Sequence, residues 1–436
     1  MKQSLSPNKT TALKKERLFS KDYILIMYAT MSTSFMNILF SSSTALHISA
    51  LGGLQVQAGL LVTVNTMSAL IIRPVSGVLS DKIGRVKLLI AGAIMCSVGC
   101  ILYGLAGAIM MLLIIRVIVG LGFGMHSTCA GAVAADVLPK SRLAEGIGIY
   151  GMGTTLAQAL APLIAVSIIG DGALPNFRTL FFFMAVLCIV CAVADCCITY
   201  ERKAKKEKSH AETAGGDLSD PAGGSAVPAG PAETPEPPQK TILGFEYVVF
   251  APMAVMALMF MGSAALNTFV VPFGRGIGIA NPGYFYMVSA SGMFISRLVF
   301  GKVADRFGND VVIIPGFIVL ITGLALLPSA GSLPVFLTLA LPIGLAQGAV
   351  SPTFNSLLFK RSSPSRRGSA SGAAWSATDV GYAIGTPLLG LLADARDYRY
   401  VFWAGSISIA AALALYVIIA SDRVYNKKRN INSLVI

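Results

Sequence analysis

Two short polar loops, each set between long apolar runs, constrain this chain more than any other feature. The first closes the stretch Arg73-Pro-Val-Ser-Gly77-Val-Leu-Ser-Asp81-Lys-Ile-Gly84-Arg85. The second closes Arg297-Leu-Val-Phe-Gly301-Lys-Val-Ala-Asp305-Arg306-Phe-Gly308. Arg73 maps to Arg297, Gly77 to Gly301, Asp81 to Asp305 and Gly84 to Gly308, always 224 positions on. Matches at one offset mark a duplicated unit, and a repeat sets the architecture before any single element is assigned. Gly59, Gly120 and Gly124 recur at the same offset as Gly283, Gly344 and Gly348, and Pro139 and Pro162 recur one position later as Pro364 and Pro387.

The surrounding runs are about 20 residues long, enough to cross a ~30 Å hydrocarbon layer as helices. Over the whole chain 55% of residues are apolar and 13% charged, about half the charge of a soluble domain. The sequence therefore predicts an all-α, polytopic membrane protein. Twelve transmembrane helices are expected at 23–46, 57–79, 87–107, 109–134, 143–169, 178–199, 246–272, 283–303, 311–329, 333–357, 369–393 and 400–420. They form a six-helix bundle over 23–199 and a second over 245–420, facing each other around a central cavity. Residues 1–22 and 421–436 read as basic cytoplasmic tails. The segment 200–244, rich in Gly, Ala, Pro and Ser after a run of lysines, reads as a disordered cytoplasmic linker.

The net charge of +13 would suit a nucleic-acid partner, but its distribution argues against one. Of the 34 Lys and Arg, only Arg178, Arg275, Arg396 and Arg399 fall on one face of the predicted topology. Arg73, Arg116 and Arg297 lie in or at the ends of helices, and the remainder share the other face. That is the positive-inside pattern of a multi-pass protein of the plasma (inner) membrane with both termini cytoplasmic. The first apolar run is long enough to span, so no cleavable signal is expected. All seven cysteines sit in apolar runs of the first half. Cys188-x-x-Cys191 has redox or zinc spacing but no histidine near it in sequence, so no metal site is expected. No nucleophile–base set or nucleotide loop appears, which excludes the common enzyme classes and leaves no cofactor to expect.

The motif Gly77-x-x-x-Asp81-x-x-Gly84-Arg85, repeated at Gly301, resembles the signature loop of the major facilitator superfamily of transporters. The resemblance covers everything but the tails and the linker, and parallel six-helix halves are an established feature of that superfamily. It implies a secondary transporter, working as a monomer on a small-molecule substrate. It also implies gating roles for Arg73, Gly77, Asp81, Gly84, Arg85, Arg142, Arg297, Gly301, Asp305, Gly308 and Arg367. Asp136 and Glu145 would join an inner gate of ion pairs. The segment Arg116-Val-Ile-Val-Gly120 is similar to the fourth-helix motif of proton-coupled members. The fifth helix, with Gly148 and Pro162, resembles the antiporter motif of exporters, although Ala157 and Ala161 stand where glycine is usual. Gly148 and Pro162, with Gly385 and Pro387 of the eleventh helix, are the expected hinge positions.

Two intramembrane charges exist in one half only. Arg116 maps to Ala340 and Asp379 to Thr154. An ionisable group at such depth is costly and is expected to face a cavity or a partner. Asp379 is the best proton carrier, and Arg116 is expected to sense it across the cavity. Asn37, His126, Gln158, Asn267 and Gln347 are further polar candidates for substrate or proton contact, Asn65 is another polar helix residue, and Asp195 is expected to reach the membrane interface. The reading is proton-coupled efflux of a drug or metabolite. The alternatives are an importer or symporter of an organic anion, clamped by Arg116, and, from another class, a non-transporting membrane sensor or scaffold.

Overall fold

A computed structural model describes residues 18–139, 143–201, 241–242, 245–361 and 367–421. Most of both expected tails and of the expected linker lies outside these residues, while Lys21 and Asp22, expected in the first tail, open a helix. In lipid a backbone amide has no solvent partner, so an apolar run that crosses must close its hydrogen bonds internally. Among the described residues the chain does so in twelve helical spans. In the first half they are α1 (Lys21–Ala50), α2 (Gln55–Ile83), α3 (Arg85–Leu105), α4 (Ile109–Val137), α5 (Leu143–Ile169) and α6 (Leu174–Cys196). In the second they are α7 (Phe250–Ala264, a π-helical turn over Ala265–Phe269, then Val270–Gly276), α8 (Tyr284–Phe307), α9 (Asp310–Leu326), α10 (Leu333–Arg361), α11 (Arg367–Ala395) and α12 (Tyr398–Leu415, ending in a π turn over Tyr416–Ala420). Several helices run past their predicted ends: α2 continues through Asp81 to Ile83, because a charged loop residue at a membrane surface can still complete a helical turn. Two short strands, β1 (Thr241–Ile242) and β2 (Phe245–Glu246), pair antiparallel where the sequence suggested linker and helix start.

The duplication is visible in the packing. Within the first half α2 packs on α4, α3 on α4 and α6, and α1 on α5 and α6. The second half repeats each contact six helices on: α8 on α10, α9 on α10 and α12, α7 on α11 and α12. The shared glycines explain the close crossings. A Cβ on Gly120 would strike the Asn65 carbonyl of α2, and one on its counterpart Gly344 would strike the Ser289 carbonyl of α8. Small residues are what allow membrane helices to approach this closely. Gly84 and Gly308 end α2 and α8 at φ of +100° and +92°, a region that favours glycine, which is why both signature loops require it.

The halves meet chiefly along two seams, α2 against α11 and α5 against α8, which the repeat exchanges, and α1 also touches α7. Counted over the described residues, ten of the spans are long and apolar enough to cross a membrane by composition alone. The two that fall short, α8 and α11, carry Ser289, Ser296 and Arg297, and Thr378, Asp379 and Thr386. Each is a seam helix, so polar content and position agree.

The crossing glycines give a direct test. Gly344→Val places a branched side chain on the α8 backbone, and overpacking of this kind costs roughly 1–3 kcal/mol or more. Gly131 of α4 has open space around it, so Gly131→Ala serves as control. Thermal unfolding in detergent, followed by size-exclusion recovery, should show a clear loss for the first and none for the second.

Candidate functional site: a charged seam between two repeated halves

Arg73 and Asp379 meet on the α2–α11 seam. One guanidinium nitrogen of Arg73 donates to the Asp379 carboxylate, and the same guanidinium lies 5.1 Å from the centre of the Trp375 ring. Asp379 is 7% exposed. The repeat makes the equivalent contact on the other seam, where Arg297 donates to the Gly151 carbonyl of α5 at 3.1 Å. Thr154, the counterpart of Asp379, spends its own hydroxyl proton on that same carbonyl at 2.7 Å. One seam therefore carries a full ion pair and the other a hydrogen bond from a cation to a neutral oxygen. Both bonds are charge-assisted through the guanidinium, but only Arg73 meets an opposite charge, so the duplicated arginines hold the two seams unequally.

Further along the same helices the halves close. The Asp394 carboxylate of α11 accepts from the backbone N–H of Gln55 at 2.7 Å and of Val56 at 2.8 Å. It thus caps the N-terminus of α2, a helix of the opposite half, where unsatisfied amides and the helix dipole both favour an anion. Gly390 lies against the backbone of Gln55 and Val56, Gly59 against Pro387, and its repeat partner Gly283 against Pro162 and Leu163. Arg275 at the end of α7 donates to the Gly170 carbonyl of the α5–α6 turn at 2.8 Å. Pro162 and Pro387, expected as hinge residues, are the seats on which the two glycines rest. Gly385 instead packs on Met261 of α7, inside its own half.

Arg116 does not face Asp379. Its guanidinium, 2% exposed, is enclosed within the first half. It donates to Thr44 Oγ1 at 2.9 Å and lies 4.0 Å from the Phe40 ring centre and 5.5 Å from that of Tyr103. The expected Arg116–Asp379 pair is replaced by Arg73–Asp379. Arg116 sits on the α4 face that packs towards α1 and α3, and aromatic faces compensate its charge.

The other candidates separate. Asn267, in the π turn of α7, donates to the Tyr382 hydroxyl of α11. That turn leaves backbone carbonyls free, and the Tyr286 hydroxyl of α8 donates to those of Leu266 and Asn267 at 2.6 and 3.1 Å. Such π turns recur at functional sites. Asn37 accepts from Asn65 at 3.5 Å, while Gln158 is exposed on α5 and Gln347 half-buried on α10. His126 is fully buried against Asp195 of α6, 3.2 Å away. Asp195 therefore does not reach the membrane interface, and the Cys188-x-x-Cys191 pair does have a histidine beside it, with Cys191 Sγ 3.5 Å from His126 Nε2.

At the first signature loop Arg85 pairs with Asp136 of α4, within its own half. Glu201, beyond α6, accepts from the backbone N–H of Arg85 at 2.6 Å and caps α3. Burial, with the Glu201 and Asp136 carboxylates nearby, holds the neighbouring Tyr200 phenol above its ordinary pKa, so it stays a neutral donor. Arg142 and the side chains of Asp81, Asp305 and Arg367 lie outside the described residues, as does the rest of the expected inner gate. Asp394, Glu201, Trp375, Tyr382 and Tyr286 were not singled out from sequence. The first two are acids beside helix ends that only the fold brings near another helix's N-terminus.

Twelve helices in two repeats, packed on each other along the closely fitted α2–α11 seam and the α5–α8 seam, define the architecture of a polytopic membrane transporter. The profile of the Major Facilitator Superfamily matches residues 23–386 and 283–433, and the chain belongs to that superfamily. It is similar to the staphylopine export protein of Staphylococcus aureus, 23% identical over 394 residues that cover 88% of this chain and 91% of that one. It is also similar to the multidrug resistance protein MdtG of Escherichia coli, 27% identical over 361 residues covering 80% and 81%. Among solved structures it resembles a bacterial homologue of the human lysosomal transporter Spinster, with a TM-score of 0.70, 16% identity, and 91% and 96% of the two chains covered. The chain is a transporter and not an enzyme.

The seam pair is testable by a double-mutant cycle. Asp379→Ala leaves the Arg73 guanidinium without its carboxylate, and Arg73→Ala strands a buried acid. Each single change should lower thermal stability in detergent, and the double change should lower it by less than the sum of the two. The expected coupling is roughly 0.5–3 kcal/mol, the range for residues in one ion pair. Additive losses would mean that the two side chains do not act on each other.

Proposed function

We propose that this protein is a proton-coupled exporter of a small organic molecule, a drug or metabolite, and that Asp379 carries the coupling proton. The observation that supports this reading is the position of the Arg73–Asp379 pair. It ties α2 of one half to α11 of the other, on the surface along which the two halves must slide if access is to alternate. With Asp379 ionised the tie is an ion pair. Protonation removes the carboxylate charge and leaves a far weaker contact, and the free-energy difference between those two states is what a proton contributes to the rocking equilibrium. The second seam, where Thr154 replaces the acid, has no proton to exchange and acts as a fixed pivot. The named exporters among the relatives support the direction. Enclosure of Arg116 by Phe40, Tyr103 and Thr44 weighs against its use as a clamp for an imported anion.

The same reading has the protein in the plasma membrane with both termini cytoplasmic, on the one-sided distribution of its lysines and arginines, and working as a monomer, as its family resemblance implies. The sealed end then faces outward, and export begins from the state described here.

Vesicles containing the wild type, Asp379→Asn or Asp379→Glu test the proposal with a panel of candidate drugs and metabolites. An inside-acid gradient is imposed and followed with a pH-sensitive dye. Substrate-driven dissipation is expected for the wild type, retained in part by Asp379→Glu and abolished in Asp379→Asn. Substrate movement by Asp379→Asn that keeps its full pH dependence would remove the proton from this residue.

A further inference from the structure

Away from both seams, three helices of the first half close on a cluster that the transport reading does not use. His126 of α4 and Cys191 and Asp195 of α6 are all fully buried. Their side-chain ligand atoms lie within 4.8 Å of one another. They form a triangle: His126 Nε2 to Asp195 Oδ2 is 3.2 Å, Cys191 Sγ to His126 Nε2 is 3.5 Å, and Cys191 Sγ to Asp195 Oδ2 is 3.7 Å. Tetrahedral zinc, with bonds of about 2.0–2.1 Å to nitrogen and oxygen and about 2.3 Å to sulfur, sets its nitrogen and oxygen ligands about 3.3 Å apart and its sulfur about 3.6 Å from either. The three observed edges match those of one tetrahedral face. A hydrogen bond between His126 and Asp195 accounts for one edge, and the Cys191 thiol, within 3.5 and 3.7 Å of the two atoms, completes a three-donor face of mixed sulfur, nitrogen and oxygen ligands.

The remaining contacts point the same way. Thr33 of α1 has one hydroxyl proton, and the carbonyls of Ala29 and Thr30 accept it at 3.1 and 3.2 Å. Towards the imidazole, 3.4 Å away at Nδ1, Thr33 is thus an acceptor. It favours the tautomer with the proton on Nδ1, as the outer partner of a metal-bound histidine does. The Nε2 lone pair then faces a carboxylate oxygen 3.2 Å away, a pair of acceptors that either a shared proton or a bound cation satisfies. The second carboxylate oxygen, Asp195 Oδ1, is buried and has no hydrogen-bond partner among the described residues. The Ala29 carbonyl, 3.5 Å from Cys191 Sγ, is within reach of a fourth position.

We propose that His126, Cys191 and Asp195 form a binding site for a divalent cation of the zinc class. A dication held by a thiolate, a carboxylate and a neutral imidazole carries no net charge, which suits a site inside a membrane bundle. Loading sends the thiol proton to bulk water as the sulfur–metal bond forms. The ion is resident rather than cargo, because its ligands are closed off from the seams, and it pins α4 to α6. Softness of the sulfur and nitrogen donors selects zinc or cobalt over magnesium or calcium.

The test uses the purified full chain, tag removed, stripped with a chelator and titrated with Co2+ followed by Zn2+. One Co2+ per chain is expected, with a thiolate-to-cobalt charge-transfer band that Zn2+ abolishes. Cys191→Ser should eliminate the band, Cys188→Ser should keep it, and Thr33→Val should weaken binding by about 10–100-fold, as loss of an outer-sphere partner does. Size-exclusion and circular dichroism establish that each variant is folded. A misfolded Cys191→Ser is replaced by wild-type alkylation, in which Zn2+ should protect Cys191 against a thiol reagent under partial denaturation. A folded wild type that binds no Co2+, a band that survives Cys191→Ser, or a Cys191 that Zn2+ fails to protect overturns the proposal.

Discussion

A hydrocarbon layer offers a backbone amide nothing to bond, and that constraint orders the rest of this structure. Each span must be helical before it touches a neighbour. Association cannot then draw on the hydrophobic effect, because lipid tails are as apolar as leucine. Close contact has to come from shape, which is why Gly120, Gly124, Gly344 and Gly348 stand at the crossings of α4 with α2 and of α10 with α8. Polar side chains face the same constraint more sharply. Most of those described in the interior have found an aromatic face, a carbonyl, a hydroxyl or an opposite charge, and Arg116 has found two of these at once.

Duplication followed by divergence explains the chemistry of the seams. Two copies of one arginine, Arg73 and Arg297, reach across to equivalent helices of the opposite half. Their partners have diverged, an aspartate in one case and a main-chain carbonyl in the other. A symmetric scaffold with one titratable arm is a simple way to make two packed surfaces respond differently to the same signal. Had both arms kept the acid, a proton would have bound either, and the halves would have had no preferred tie to release.

The fold was legible because its signals are local or repeated. Run length gives the spans, and a constant offset gives the two halves. The signature loop needs a left-handed glycine in each copy, and both copies have one. The site was legible only in part. Asp379 stood out because a charge at membrane depth is rare, but its partner was misjudged. Depth along a helix can be read from sequence, whereas rotation about its axis depends on neighbours, and a modest turn separates a seam-facing arginine from one enclosed by Phe40 and Tyr103. Asp195 was placed at the interface because it lies near the end of an apolar run. Its actual partner is 69 residues away, on a helix whose approach no local pattern records. The cap that Asp394 provides is similarly invisible, since 339 residues separate it from Gln55.

That cap bears on how the sealed end can open. Two main-chain amides at the start of α2 are satisfied by a side chain from the other half, and bulk water can satisfy them almost as well once the surfaces part. Opening there exchanges one oxygen acceptor for another. The closure behaves like a latch held by a small bias, with solvent itself as the competing ligand, and its strength depends on how dry the mouth stays. Crowding, osmotic stress or a ligand that keeps water out of that cleft would each favour closure without touching a transported molecule.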